Sequence, residues 1–290
     1  MNAPFGARLA SAMDAYGPLC VGIDPHPGLL AAWGLDDDAR GVAEFARRVM
    51  DAVGGRVAAV KPQSALFERH GSAGVAVLEE VVAAGRATGT IVIIDAKRGD
   101  IGSTMAAYAD AYLRDGPLGG DALTVSPFLG FGSLGPAIEA ARETGRGLFV
   151  LALTSNPEGA SVQHAMADSP VGGPRRTVAG VIAAAAGALN AAELAATGGV
   201  LGSVGLVVGA TTGDAAARLG IDLAAVRGPL LAPGIGAQGA GAAELAAVFG
   251  GARRAVLAAA SRSILSAGPD VVHLRAAARK AADDAAAALG

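Results

Sequence analysis

Asp95 and Lys97 stand two residues apart at the end of Thr90-Ile91-Val92-Ile93-Ile94, a run rich in β-branched apolar residues. Such a run has the composition of a strand buried on both faces. Side chains two apart on a strand point the same way, so a carboxylate and an ammonium are directed towards one interior surface. Buried charge is costly unless it is paired or put to use. Gly99 and a second acid, Asp100, follow at once. Two readings fit these residues alone: an ion pair that plugs the end of a strand, or a functional centre built from perturbed charges.

The elements around them decide where such charges go. Short Val, Ile and Leu runs predict eight strands: Leu19–Asp24, Val57–Lys61, Ile91–Lys97, Ala122–Val125, Leu148–Thr154, Gly205–Val208, Leu230–Pro233 and Ala255–Ala259. Alanine-rich segments between them predict helices over Asp38–Gly54, Gly74–Gly89, Gly102–Leu113, Gly135–Gly145, Arg176–Thr197, Gly213–Leu219 and Ala240–Phe249. Parallel neighbours need crossovers, so alternating strands and helices build a parallel sheet. Eight units over 290 residues predict an α/β fold, a single-domain (β/α)8 TIM barrel spanning 1–290. An open doubly wound sheet is the alternative, but no Gly-x-Gly-x-x-Gly follows the first strand. Phe5, Leu9 and Met13 recur every four residues and predict an N-terminal helix over 4–16. The polar connection Asn156–Pro174 is long enough to read as a lid, taken here as loop 156–175.

Barrel enzymes carry their sites at the C-terminal ends of the strands. Those ends gather Asp24, Lys61, Asp95, Lys97, Asp100, Ser155, Gln238 and Arg262. Each has an ordinary explanation alone, and their convergence argues for a site. Gly234-Ile235-Gly236-Ala237-Gln238-Gly239 and Arg262 follow the last two strands. Glycines let backbone N–H groups approach an anion, and arginine can bind phosphate bidentately. A phosphate site is expected there.

Composition narrows the classes. At 52% hydrophobic and 17% charged, the chain is core-rich and globular rather than disordered. A net charge of −3 supplies no basic field for nucleic acid or an anionic membrane. The single cysteine, Cys20, excludes an internal disulfide and reads as a buried structural thiol. Met1 to Gly17 lacks a secretory apolar core, and the apolar run Val178 to Leu189 is too short to span a bilayer before Asn190 and Glu193. A soluble, cytoplasmic protein is expected.

Asp95-Ala96-Lys97-Arg98-Gly99-Asp100-Ile101-Gly102-Ser103-Thr104 resembles the signature of the orotidine 5′-phosphate decarboxylase family. Further blocks agree in order: Val21-Gly22-Ile23-Asp24-Pro25, Lys61-Pro62-Gln63, Thr124 to Gly130, and Pro233 to Gly239. The match runs from about Leu19 to Ile264, and Lys61 to Glu68 is similar to the Lys-Pro-Gln-x-x-x-Phe-Glu block of the longer bacterial, type 2 branch. The resemblance implies decarboxylation of orotidine 5′-monophosphate to UMP and CO2, the last step of de novo UMP synthesis, with no metal or organic cofactor. It implies a charge network of Lys61, Asp95, Lys97 and Asp100, with Lys97 donating a proton to C6 of the pyrimidine. It further implies sugar contacts from Asp24, a pyrimidine contact from Ser155, and phosphate contacts from Gln238 and Arg262. A homodimer is implied too, with Asp100 and Thr104 reaching the partner's site. Many members carry Gly-Arg-Ser where this chain has Ser261-Arg262-Ser263, which bears on a backbone-only phosphate contact there.

Two rivals define the tests. A magnesium-dependent sister barrel shares the third-strand motif but places an acidic metal ligand at the second strand end, where this chain has Lys61. A non-catalytic nucleotide-binding barrel would hold UMP without turnover.

Overall fold

Alternation along the strands sets where everything else goes. The computed structural model of the chain describes residues 3–168, 175–234 and 242–290. Its strands are β1 (Leu19–Ile23), β2 (Ala59–Pro62), β3 (Ile91–Arg98), β4 (Ala122–Val125), β5 (Gly147–Leu153), β6 (Met166–Ala167), β7 (Arg176–Thr177), β8 (Val204–Val208), β9 (Leu230–Pro233) and β10 (Val256–Ala260). Eight of them close a barrel in the order β1-β10-β9-β8-β5-β4-β3-β2, and every adjacent pair is parallel. The eight expected strands are these eight, with ends shifted by at most two residues. Val57 and Ala58 are buried but lie outside the ladder, so β2 starts at Ala59.

Successive residues on each strand feed two apolar layers. Cys20, Ala59, Ile91, Ile93, Ala122, Phe149, Leu231 and Leu257 pack together inside the barrel. Their neighbours Val21, Val60, Val92, Ile94, Leu123 and Leu148 face the helices. Helix Ala39–Val53 shows why that outer layer forms. Val42, Phe45, Ala46, Val49, Met50 and Val53 recur at helical spacing and are buried, and Asp38 caps the start by accepting from Gly41 N–H at 2.8 Å. Each buried Val or Phe of this kind contributes about 1.5–3 kcal/mol.

The N-terminal helix, Phe5–Tyr16, closes the bottom of the barrel. Phe5 meets the Phe149 ring edge-on at 5.9 Å. It packs so closely on β5 that a Cβ on Gly147 would lie 2.1 Å from it. Arg8 pairs with Asp121 at 2.5 Å and donates to Gly145 O at 3.0 Å, and Gly6 N–H donates to Ser203 Oγ at 3.2 Å.

Four features depart from the sequence reading. Arg176 and Thr177 form β7, paired with β6, rather than the start of a helix, because the Thr177 hydroxyl caps Val178–Thr197 by accepting from Gly180 N–H at 3.1 Å. That helix runs for 20 residues, through Asn190 and Glu193, with an 18-residue stretch at mean hydropathy 1.6, so it does reach membrane-spanning length. Its buried side lies on the barrel, where Asn190 donates to Val204 O at 2.7 Å and Val226 O at 2.8 Å. A C-terminal helix, Val271–Leu289, has no counterpart in the reading; Leu274, Ala278, Ala282, Ala285 and Leu289 form its buried stripe. The expected lid carries its own structure: a short 3-10 turn at Pro157–Gly159, a helix at Ala160–Gln163 and strand β6, whose partner β7 lies just beyond it. Part of that segment, 169–174, lies outside the described residues.

Candidate active site

The interior rows that begin with Cys20, Ala59, Ile93 and Ala122 end, two residues on, in Gly22, Lys61, Asp95 and Thr124. Apolar layers fill the barrel below, and polar residues of the same parity form the layer above. Asp95 is 6% exposed and Lys61 8%.

Four donors converge on the Asp95 carboxylate. Lys61 Nζ donates to Oδ2 at 2.6 Å and Gln63 Nε2 to the same oxygen at 3.2 Å. Lys97 Nζ donates to Oδ1 at 2.6 Å and Thr124 Oγ1 to that oxygen at 2.9 Å. Burial alone would raise the Asp95 pKa, but the two ammonium groups outweigh it and hold the carboxyl well below the usual range. Burial likewise opposes charge on Lys61, yet Asp95 and then Asp24 outweigh it and hold its pKa above the ordinary lysine value. Cys20 lies beneath, free and buried, its thiol pushed up to about 12 mainly by desolvation, as expected of a structural thiol.

Lys97 does not follow simple alternation. The register between β3 and β4 shifts between Ile94 and Arg98, and Lys97 has φ +47°. This bulge re-aims the end of the strand. The lysine still reaches Asp95, with its side chain 46% exposed at the mouth. A cavity of about 390 Å³ opens there, lined by Asp24, His26, Gln63, Asp95, Lys97 and Arg98 among others.

The remaining sequence-predicted residues are placed as follows. Asp24 is half-buried, and its Oδ1 is enclosed without a hydrogen-bond partner among the described residues. Ser261 Oγ, at the end of the neighbouring β10, is also enclosed and has no partner among the described residues. Both crowd the same spot: a Cβ on Gly22 would lie 3.0 Å from Asp24 Oδ2 and 3.2 Å from Ser261 Oγ. Ser155 is exposed beyond β5, beside Gly209 at the end of β8. Arg262 opens the short helix Arg262–Leu265 and is exposed, its guanidinium unpaired among the described residues. Gln238 lies outside the described residues. Asp100 does not join Lys97 within this chain; its Oδ1 accepts from Ile101 N–H at 2.8 Å. Thr104 is exposed in the first turn of Gly102–Leu113.

Gln63 and Thr124 both contact Asp95 and had no assigned role. The available signal for Thr124 is a hydroxyl inside a buried apolar strand, Ala122-Leu123-Thr124-Val125.

Fold and site together define a (β/α)8 barrel with a lysine–aspartate charge centre at the C-terminal ends of its strands, the end where barrel enzymes carry their chemistry. The family model for orotidine 5′-phosphate decarboxylase / HUMPS matches residues 17–277, and the chain belongs to that family. An orotidine 5′-phosphate decarboxylase of Salinispora arenicola is 60% identical over 286 residues, covering 98% of each chain. One from Streptomyces coelicolor is 60% identical over 277 residues, covering 95% of this chain and 94% of the other. The crystal structure of a Streptomyces avermitilis protein provisionally assigned to the same enzyme is 59% identical, with TM-score 0.91, covering 99% of this chain and 96% of that one. The Leishmania donovani OMP decarboxylase structure is 30% identical, with TM-score 0.73, covering 97% of each.

Proposed function

We propose that this chain decarboxylates orotidine 5′-monophosphate to UMP and CO2, the last step of de novo pyrimidine nucleotide synthesis, as a cytoplasmic homodimer with Lys97 as proton donor. The observation that carries the reading is the Asp95 carboxylate held between the Lys61 and Lys97 ammonium groups at the mouth of the barrel. Loss of CO2 breaks the bond to C6 and leaves its electron pair on that carbon. A fixed ammonium stabilises this charge and then delivers a proton to C6, becoming a neutral amine that regains its proton from water. Asp95 orients the ammonium, and its negative charge lies on the side where the substrate carboxylate departs. The enclosed Asp24 Oδ1, without a partner among the described residues, is an acceptor suited to a ribose hydroxyl.

Asp100 completes the network from the second subunit, with Thr104 beside it. Support comes from the surface next to the site. Gly99 abuts Ser126 so closely that a Cβ would lie 2.3 Å from its carbonyl oxygen. Two or three residues beyond that junction, Ile101, Phe128 and Leu129 are 63%, 75% and 54% exposed. A cluster of exposed large apolar side chains is what a subunit contact covers. Segment 156–175 serves as the lid, tied at its start by Gln163, which accepts from Thr154 N–H at 2.9 Å and donates to Thr154 Oγ1 at 2.7 Å. Phosphate is bound by Gln238 and Arg262, and the pyrimidine by Ser155. The reaction proceeds without metal or organic cofactor; the Lys61 ammonium 2.6 Å from Asp95 repels a divalent cation from that carboxylate.

The test is the ultraviolet absorbance change when orotidine 5′-monophosphate is added to purified protein with EDTA present. Turnover is expected. Activity abolished by EDTA favours the magnesium-dependent sister reaction, and UMP binding without turnover favours a non-catalytic barrel.

A further inference from the structure

Lys97 stands on a backbone that residues with a Cβ avoid, with φ +47°. Such a conformation persists where the surroundings over-determine it. Here they hold it from both sides. Lys97 N–H donates to Thr124 Oγ1 at 2.9 Å. The carbonyl of the preceding residue, Ala96, accepts from Arg98 Nη1 at 3.2 Å, so the Arg98 side chain folds back across Lys97 and grips the peptide before it. The Arg98 carbonyl accepts from Ser126 N–H at 2.8 Å, which anchors the far side of the bulge to the end of β4.

The Arg98 guanidinium is itself immobilised. Its Nη2 donates to Glu68 Oε1 at 2.5 Å and to Tyr112 Oη at 3.1 Å. The Tyr108 and Tyr112 rings lie 5.4 and 5.5 Å from its central carbon. Ser64 Oγ donates to the same Glu68 oxygen at 2.5 Å. Glu68 comes from the short helix after β2 and the tyrosines from the helix after β3, so the cluster ties two barrel connections to one strand end. Arg98 and Glu68 line the cavity beside Asp95 and Lys97. Their charges, however, are spent on one another, and both terminal nitrogens of Arg98 are engaged within the chain.

We propose that Glu68, Arg98 and Tyr112 form a positioning cluster that fixes the Lys97 backbone, and so the direction of its ammonium, without contacting substrate. This rests on Lys97 as the proton donor. Angular placement of a reacting group is where a small displacement is most costly: a shift of about 1 Å can cost on the order of 100-fold in rate.

The experiment compares Arg98→Met, Arg98→Lys and Glu68→Gln with wild type for kcat, KM for orotidine 5′-monophosphate, and UMP affinity. Circular dichroism and the thermal midpoint report on folding. The expected result is a kcat lowered about 10- to 100-fold in Arg98→Met, with KM and UMP affinity unchanged and kcat partly recovered in Arg98→Lys. If Arg98→Met does not fold, the near-isosteric Glu68→Gln carries the same expectation. Weakened UMP binding in step with KM makes Arg98 a substrate ligand and overturns the proposal, as does wild-type kcat in folded variants. A wild-type chain inactive on this substrate fails the functional reading instead, and the same assay shows it directly.

Discussion

Asp95→Asn removes the closest negative charge from a lysine that is 8% exposed. The Lys61–Asp95 contact is 2.6 Å, with both side chains at 10% exposure or less. Breaking a buried pair from one side costs about 3–5 kcal/mol, because the remaining charge is left uncompensated. Asp24 still faces Lys61 electrostatically, which places the expected loss towards the lower end. A chain of 290 residues unfolds with an entropy of about 0.6 kcal/mol per kelvin, so the midpoint falls by about 5–8 °C. Dependence on pH separates this cause from a packing defect. In wild type, the depressed Asp95 carboxyl contributes stability that is complete above about pH 4 and is lost as pH falls through its lower folded value. The raised Lys61 contributes stability that is complete below about pH 10 and is lost as pH rises through its higher folded value. Wild type is therefore insensitive to this pair from about pH 5 to 9. In the variant, burial is no longer outweighed by the nearest anion, the Lys61 pKa falls in the folded state, and stability rises with pH. Denaturant titration at pH 6, 7.5 and 9 measures both quantities. Adding Lys61→Met to Asp95→Asn is expected to recover most of the loss, since it removes the stranded charge. A variant within about 1 kcal/mol of wild type, or a deficit independent of pH, refutes the reasoning that Lys61 is a buried cation held by Asp95.

Lys97→Ala and Asp100→Ala are each expected to lose decarboxylation while remaining folded. If Asp100 acts in the partner's site, mixing and re-pairing the two in equal amounts restores about one quarter of the sites, because half the dimers are mixed and each regains one complete site. No recovery, with mixed dimers demonstrated, places Asp100 in its own subunit's site. Ser261→Ala removes an enclosed hydroxyl that lacks a partner among the described residues. It is expected to raise the thermal midpoint of the free protein while weakening UMP binding about 3- to 10-fold, since a hydroxyl unsatisfied in the free protein and satisfied by ligand affects the two states with opposite sign. Unchanged UMP affinity removes Ser261 from the binding surface.

Much of the fold was legible because short Val, Ile and Leu runs alternate with alanine-rich segments along the chain, and the strand period of two carried the direction of side chains at the strand ends. Residues along each strand do alternate between the two apolar layers. Asp95 was legible for the same reason: it continues the row of Ile91 and Ile93, so its carboxylate had to face the barrel interior. Lys97 shows where that rule stops. Its position came from strand alternation, yet the strand is bulged there, and the contact with Asp95 is made from a left-handed backbone. Nothing in the local sequence marks that conformation, because the atoms that impose it come from Thr124 and from Glu68 through Arg98. Asn190 misled in the opposite sense. A polar residue at the end of an apolar run reads as a boundary, whereas here it is buried in mid-helix and satisfied by backbone groups of two other segments.

The helix that seals the bottom of the barrel also constrains how the molecule is assembled. Gly6 donates to Ser203, 197 residues further along, and Phe5 seats on Gly147 and Phe149. At about 5–20 residues per second, the helix leaves the ribosome roughly 10–40 s before Ser203 is made, and Leu231 and Leu257 of the same apolar cluster follow later still. This helix is thus held in waiting, its apolar face uncovered, while strands that follow it build its seat. Its docking reports that the C-terminal half has arrived, and the N-terminal residues are among the last to be locked in place.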